Sequence, residues 1–238
     1  TVGERLFAVV NVALMCLLVL VVLIPLASVV STSFVSEREL ARRQIMLFPS
    51  EPDLSAYRMI FRRGALLIDA YKVTLFRVGV GTLLNMVFTY FLGYALSRRD
   101  LPGRTPLTLF FFFTMMFGGG LIPYYIVVKS LGLLNSIWVY VIPGLISVWN
   151  VLLMRNFIMN IPISLIEAAE IDGANQFTVI ARLVLPLSLQ AMATIALFYA
   201  VGHWNARWDA YRFVSTPRRQ PVPLCLSNIL AQVTVQMD

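Results

Sequence analysis

The chain has 238 residues, 59% hydrophobic and 13% charged, with a net charge of +7. That charged fraction is about half the roughly 25% of soluble domains, and several apolar runs reach the ~20 residues that cross a bilayer's hydrocarbon core. An ordinary soluble domain is excluded, and so is a nucleic-acid-binding role resting on basic charge alone. The class is an all-α, polytopic membrane protein.

Residues 6–30 carry no charge and form the first span. The run is too long for a signal-peptide core and lacks a small-residue cleavage site, so it reads as a retained helix. Cys16 lies inside it, which argues against a disulfide with Cys225. Residues 31–70 are polar and rich in Arg and Glu, with a short surface helix over 54–62. The second span covers 71–97 and ends in a compact basic turn, 98–104. The third covers 105–128. Its Gly118-Gly119-Gly120 and Pro123 predict a kink or break. A break inside a membrane needs protein or a water-filled cavity to satisfy the freed backbone groups; a packing kink and a pathway-lining break both meet that condition. After a loop at 129–136, the fourth span covers 137–158, with Pro143-Gly144 near one end and Asn150 inside. A polar loop, 159–182, leads to the fifth span over 183–205. Residues 206–238 are mixed and contain no sixth span. Five spans place the termini on opposite sides. No internal repeat is visible.

The loop at 159–182 carries the most specific pattern in the chain. Ser164 and Glu167 have the spacing of a capping box, and Pro162 stands where it can start a helix but not continue one. A short helix over 165–172 is expected. Ala168 and Ala169 give it a face without bulk, and Gly173 supplies the permissive backbone for a tight turn. A second helix begins near Asn175, and Pro186 bends or restarts it. The product is a helical knuckle bearing Glu167, Glu170 and Asp172. Physics alone leaves a docking element open beside an amphipathic interfacial helix or a solvated acidic loop.

The residues Glu167-Ala168-Ala169, Gly173, Leu183 and Leu185-Pro186 resemble the signature coupling loop of binding-protein-dependent ABC importer permeases. That pattern runs Glu-Ala-Ala, three residues, Gly, nine residues, Ile, one residue, Leu-Pro; Leu183 stands at the Ile position. Residues 118–135, 143–157 and 199–211 resemble the maltose-permease type of carbohydrate permease. Together with 47–61, they are most similar to its branch for complex or acidic oligosaccharides. The resemblance implies a type I ABC importer permease bundle. Such permeases usually have six spans; the segment 221–230 resembles the approach to the last one, and the sequence is expected to lack the span itself.

The resemblance also implies the assembly. One permease domain spans residues 1–238, with 31–70 and 206–238 extracytoplasmic and 159–182 the cytoplasmic coupling loop, in a bacterial cytoplasmic membrane. Its partners are membrane lipid, a second homologous permease subunit, two ATPase copies, an extracytoplasmic binding protein and an oligosaccharide. ATP and Mg belong to the ATPase; this chain has no cofactor, metal or catalytic residue, and no Walker A pattern. Glu167, Ala168, Ala169, Glu170, Asp172, Gly173, Leu185 and Pro186 couple to the ATPase, with Glu167 pairing to a basic residue there.

Asn150, Tyr199, His203, Trp204, Asn205 and Trp208 are the candidates for the sugar pathway, since oligosaccharides are held by aromatic faces and planar hydrogen-bonding groups, and a polar residue within a span is a functional candidate by default. For Trp204, Trp208 and Tyr211, interfacial anchoring is the competing role. For Asn150 it is an interhelical hydrogen bond, and for His203 packing. With the coupling loop inside, Arg5, Arg98, Arg99, Arg104, Arg155 and Arg182 are cytoplasmic and the larger remainder of Lys and Arg is not, against the positive-inside tendency. A basic outer face would concentrate an acidic, uronate-containing cargo, or dock an acidic face of the binding protein. Three other functions were weighed. An amino-acid permease shares the loop, but the flanking carbohydrate-type segments oppose it. An intramembrane enzyme lacks its base, nucleophile or metal set. A proton-coupled carrier lacks carboxylates at the centres of its spans.

Overall fold

The structure is a computed structural model of the chain and describes residues 2–35, 52–55, 57–58 and 64–237. Two compact units divide it, residues 1–64 and 65–238. No strand occurs among the described residues.

The first unit is dominated by helix α1, Val2–Thr32, 31 residues long. At about 1.5 Å per residue it exceeds the ~30 Å hydrocarbon core, and its apolar side chains are exposed along nearly its whole length, as lipid or a partner helix requires. Its last turn closes through hydroxyls: Thr32 Oγ1 donates to the Val29 carbonyl at 2.9 Å and Ser33 Oγ to Val30 at 2.7 Å. The Tyr57 hydroxyl donates to Ser33 Oγ at 2.9 Å, and the Phe34 and Tyr57 rings lie 5.6 Å apart. Asp53 caps a following turn by accepting from Ser55 N and Ser55 Oγ, both at 2.8 Å. This turn is the start of the short helix expected over 54–62; Leu54 precedes it without helical structure, Ser55, Tyr57 and Arg58 are helical, and 56 and 59–62 lie outside the described residues.

The second unit is built on helix α2, Gly64–Ser97, 34 residues. It starts before the expected residue 71 because Gly64–Ala70 joins the same helix. A widened π segment, Arg77–Gly81, interrupts it. Helices α3, Arg104–Met116, and α4, Leu121–Ser130, meet at 113°. This is the expected break, made at Gly120 with φ +83°. Helix α5, Val148–Met159, and α6, Ile163–Ile171, meet at 72°. Helix α7, Gln176–Leu187, and α8, Leu189–Asn205, meet at 78°. Helices α9, Trp208–Phe213, and α10, Val222–Met237, follow. Among the described residues, helices α1 and α2 are each long and apolar enough to cross a membrane, and counting each bent pair as one span raises the number to five. Helix α10 runs 16 residues, to the last described residue.

Two expected spans differ from what forms. The fourth, over 137–158, is α-helical only from Val148; before it stand a 3₁₀ turn, Ile137–Tyr140, and an irregular stretch. Pro143 lacks a donor. The Gly144 and Leu145 carbonyls accept from Asn85 Nδ2, each at 2.8 Å. Ser147 then caps α5 by accepting from Asn150 N. The fifth, over 183–205, is broken at Ser188, and its first limb is the later part of α7. Pro186 has no N–H to give and crowds the preceding turn, which widens to a π segment, Val179–Val184.

Among the described residues three apolar clusters include α2, the smallest joining Ala70 to Val222 and Cys225; two are larger. One gathers Val73 with Val128, Tyr140, Val141, Phe213 and Leu224. The other gathers Met86, Tyr90 and Tyr94 with Met154, Ile166, Val184 and Tyr199. Helices α2 and α5 approach so closely at Gly93 that a Cβ there would lie 2.9 Å from Met154 Cβ and Cγ and 3.2 Å from the Arg155 nitrogen. Overpacking of this kind costs about 1–3 kcal/mol. Gly93→Val is therefore expected to lower the thermal unfolding midpoint of the solubilised protein. Gly202→Ala, whose added methyl meets nothing within 4 Å, should leave it unchanged.

Candidate functional site

The knuckle begins at Pro162, whose φ of −56° pre-sets the first turn of α6. The helix starts at Ile163, so Ser164 falls inside the first turn and makes no cap hydrogen bond. The expected Ser164–Glu167 capping box is absent, and Glu167 is left exposed. At the other end the chain closes in a Schellman motif: Ala174 N donates to the Ala169 carbonyl at 2.9 Å and Gly173 N to Glu170 at 3.1 Å. Gly173 has φ +85°, the left-handed value this motif demands. Asn175 then caps α7, its Oδ1 accepting from Thr178 N at 2.8 Å and Thr178 Oγ1 at 2.9 Å.

The carboxylates on the knuckle divide into two kinds. Glu170 is held within the chain: its Oε1 accepts from Arg98 Nη2 at 3.3 Å and from Gln176 Nε2 at 3.0 Å. Gln176 Oε1 in turn accepts from the Tyr94 hydroxyl at 2.9 Å, so Glu170 ties α6 to the end of α2. Arg98 also grips Asp100 through two bonds, at 3.0 and 3.2 Å. These bonds hold the Asp100 carboxyl below the ordinary carboxylate range and push the Arg98 guanidinium up. Glu167 and Asp172 are exposed and have no ion-pair partner among the described residues. Glu167 borders a cleft of about 510 Å³ between Ser97–Asp100 and Ile158–Ile163. Ala168 is exposed and Ala169 half-buried; Leu185 is half-buried and Pro186 exposed. Two residues missed in the sequence complete this face: Ile171 is 86% exposed and Phe177 73%, one on each side of Gly173. Their signal was two large apolar side chains beside a turn in an otherwise polar loop.

The pathway candidates separate as well. Tyr199 is buried, its hydroxyl 2.7 Å from Thr89 Oγ1. His203 belongs to a chain of polar groups. Arg77 Nε donates to His203 Nδ1 at 3.4 Å, and since a guanidinium can only donate, Nδ1 is the acceptor. Nε2 then carries the proton and donates to Asn85 Oδ1 at 2.8 Å, which leaves Asn85 Nδ2 for the Gly144 and Leu145 carbonyls. Arg77 is 4% exposed and also pairs with both carboxylate oxygens of Asp209. Asn150 is buried in α5. Trp204, Asn205 and Trp208 are exposed. Asn205 Nδ2 donates back to the Val201 carbonyl. The Trp208 indole has Arg207 Cζ at 5.1 Å and Arg212 Cζ at 5.9 Å from its ring centre, with Tyr211 edge-on at 6.4 Å. Arg77, Asn85, Thr89 and Asp209 were not singled out from the sequence. Their trace was there: Arg77, Gly81, Asn85, Thr89 and Gly93 recur every fourth residue, one face of a helix.

No protein-family model matches the chain. It is 39% identical over 227 residues to the polygalacturonan/rhamnogalacturonan transport system permease protein YtcP of Bacillus subtilis (strain 168), covering 95% of this chain and 79% of the relative. It is 37% identical over 238 residues to the protein LplC of the same organism, covering 100% of this chain and 79% of the relative. Among solved structures it matches a bacterial ABC transporter involved in the import of the acidic polysaccharide alginate, with a TM-score of 0.85 and 30% identity over 95% of this chain and 80% of that one. The chain belongs to the carbohydrate ABC-transporter permeases. A permease of this family is a transport subunit, not an enzyme, and has no cofactor of its own. It works with partner subunits and a binding protein.

The permease's Asn175 cap offers a local test of the knuckle. Loss of such a cap costs about 1 kcal/mol, or roughly fivefold in opening of the helix start. In Asn175→Ala, amide hydrogen exchange over Gln176–Leu187 is expected to quicken by that factor, with Leu189–Asn205 unchanged.

Proposed function

We propose that this permease forms the sugar passage of an ATP-driven importer for acidic oligosaccharides in a bacterial cytoplasmic membrane. It pairs with a second, homologous permease subunit and two ATPase copies that hold the ATP and Mg, and it receives cargo from an extracytoplasmic binding protein. Residues 159–182 face the cytoplasm; 31–70 and 206–238 face outward. Helix α1, with its exposed apolar surface, lies against lipid or the partner permease.

The observation that carries the reading is the knuckle itself. Glu167 and Ala168 lie exposed on α6, and Ile171 and Phe177 project beside the left-handed turn at Gly173. Large apolar side chains in such positions support burial against another protein. In this reading Glu167 pairs with a basic side chain of the ATPase, Ala168, Ala169 and Asp172 line the contact, and Leu185-Pro186 carry its motion into α8. Glu170 has a different part from the one the pattern alone implies, since its carboxylate is engaged by Arg98 and Gln176. It joins the knuckle to α2.

An acidic cargo is supported by two relatives. One is named for polygalacturonan, a galacturonate polymer, and the other imports alginate, an acidic polysaccharide. Galactooligosaccharides are named for a relative of lower identity, 29%. On the chain itself, Trp208 between Arg207 and Arg212 combines a flat face for a sugar ring with two cations for its carboxylate. Trp204 and Asn205 lie nearby in sequence. Asn150 contributes from α5, and Tyr199 and His203 act from behind the passage wall.

The test is ATPase activity of the co-purified assembly in nanodiscs, with the binding protein and galacturonate or neutral oligosaccharides. The parent is expected to be stimulated by the acidic ligand. Glu167→Lys replaces an attraction with a repulsion and should weaken ATPase association by roughly 10–100-fold, the worth of a charge-assisted bond. If no ATPase accompanies the parent and Glu167→Lys changes nothing, the knuckle is not a docking element.

A further inference from the structure

Arg77 makes four N–H contacts from one planar group. Nε donates to His203 Nδ1 at 3.4 Å; Nη1 donates to the Ala206 carbonyl at 3.2 Å and to Asp209 Oδ1 at 3.0 Å; Nη2 pairs with Asp209 Oδ2. Its Cζ lies 4.9 Å from the centre of the Tyr140 ring. One guanidinium, with 5% of its side chain exposed, thereby touches the end of α8, the α8–α9 junction, α9 and the 3₁₀ turn at Ile137–Tyr140. It stands at the start of the π segment Arg77–Gly81, a backbone widening found often at functional sites.

A buried cation of this kind is not needed to close a helical bundle. Apolar residues of similar volume commonly serve as well or better for stability. What a guanidinium adds is direction: its fixed fork sets the angle of everything that accepts from it. Here the acceptors are Ala206 and Asp209, which flank the exposed Trp208. Asp209 Oδ1 also accepts from Ala210 N at 2.9 Å, inside the first turn of α9. The backbone that carries Trp208 is therefore tied to Arg77 on both sides.

We propose that Arg77 is a positioning residue for cargo transfer: through Asp209 it sets the angle at which Trp208 and its flanking arginines meet the sugar delivered from outside. This rests on the transport reading above. Lysine keeps the charge but has neither the fork nor the planar face, so Arg77→Lys should release α9 while the rest of the bundle stays assembled.

The experiment is ATPase stimulation of the reconstituted importer, titrated with its binding protein loaded with galacturonate trisaccharide. In Arg77→Lys the half-saturating concentration is expected to rise by about tenfold, as for the loss of one good charged hydrogen bond. Basal and saturated rates should stay within about twofold of the parent. Trp208→Ala should show the same rise, and the double variant should be no worse than either single one, the mark of two residues acting as a unit. Asp209→Asn, close in shape and uncharged, carries the same expectation where Arg77→Lys fails to assemble. An unchanged half-saturation, or effects that multiply in the double variant, overturns the proposal while leaving the transport reading intact. A parent that does not respond to loaded binding protein overturns both.

Discussion

A helix inside a bilayer has no water to satisfy a polar group, so each one it carries must find its partner within the protein. That constraint organises the second unit. Helix α2 carries a stripe in which Arg77, Asn85 and Thr89 alternate with Gly81 and Gly93, all buried. Each polar member is met by a partner from another element: Asp209 and His203 for Arg77, the Gly144 and Leu145 carbonyls for Asn85, Tyr199 for Thr89. The two glycines let those elements come close; a Cβ at Gly81 would sit 2.7 Å from His203 Nε2. Interhelical hydrogen bonds in a membrane contribute only about 0.6–2 kcal/mol each. Their larger effect is on register, because displacing α8 along α2 by one turn would take Tyr199 from Thr89 and His203 from Arg77 and Asn85.

The same requirement explains why the broken helices stop where they do. The freed carbonyls of Gly144 and Leu145 are taken by Asn85, so the irregular stretch before α5 is stabilised by a side chain of α2. The last turn of α2 shows the principle again, with Arg104 Nε at 2.9 Å and Arg155 Nε at 3.1 Å both donating to the Leu96 carbonyl. Cations at a helix C-terminus also match its dipole. Several arginines that would be counted as loose surface charge are thus structural. The count that set the coupling loop against the positive-inside tendency assigned Arg77 to the outer side, yet Arg77 is buried and paired. The rule concerns charges in short loops near span ends, and there the dense 98–104 turn carries Arg98, Arg99 and Arg104.

Much of this was legible before any coordinates. Apolar run lengths revealed the membrane class, and the glycines and Pro123 gave the α3–α4 break. Gly173 and Asn175 marked the turn and the start of α7, because a left-handed residue and an N-cap are local requirements that local residue types announce. The failures were non-local. The Ser164–Glu167 spacing fits a capping box, but Pro162 starts the helix two residues earlier and preempts it. The fourth span reads as continuous because its apolar content is continuous; that Asn85, some 60 residues away, takes its carbonyls is invisible in a window of twenty. Arg77 lies inside the expected second span, and nothing local announces its role because its partner Asp209 lies 132 positions along the chain. The four-residue recurrence on α2 was the available clue, and it is a clue to a face, not to what the face meets.

Helix α2 also connects the two regions proposed above for coupling and for cargo. At one end, Tyr94 and Arg98 reach the knuckle through Gln176 and Glu170, and the Tyr90 hydroxyl donates to the Ile180 carbonyl of α7 at 2.7 Å. At the other, Arg77 holds α8 and α9. The seventeen steps from Arg77 to Tyr94 span roughly 25 Å at the helical rise, most of the depth of a bilayer core. An element so cross-linked at both ends cannot follow a movement of α6 and α7 at one end without carrying it to the other, unless it bends. The one place where its hydrogen-bonding pattern changes is the π segment at Arg77–Gly81. Any bending of α2 would therefore fall beside Arg77 and its ion pair with Asp209.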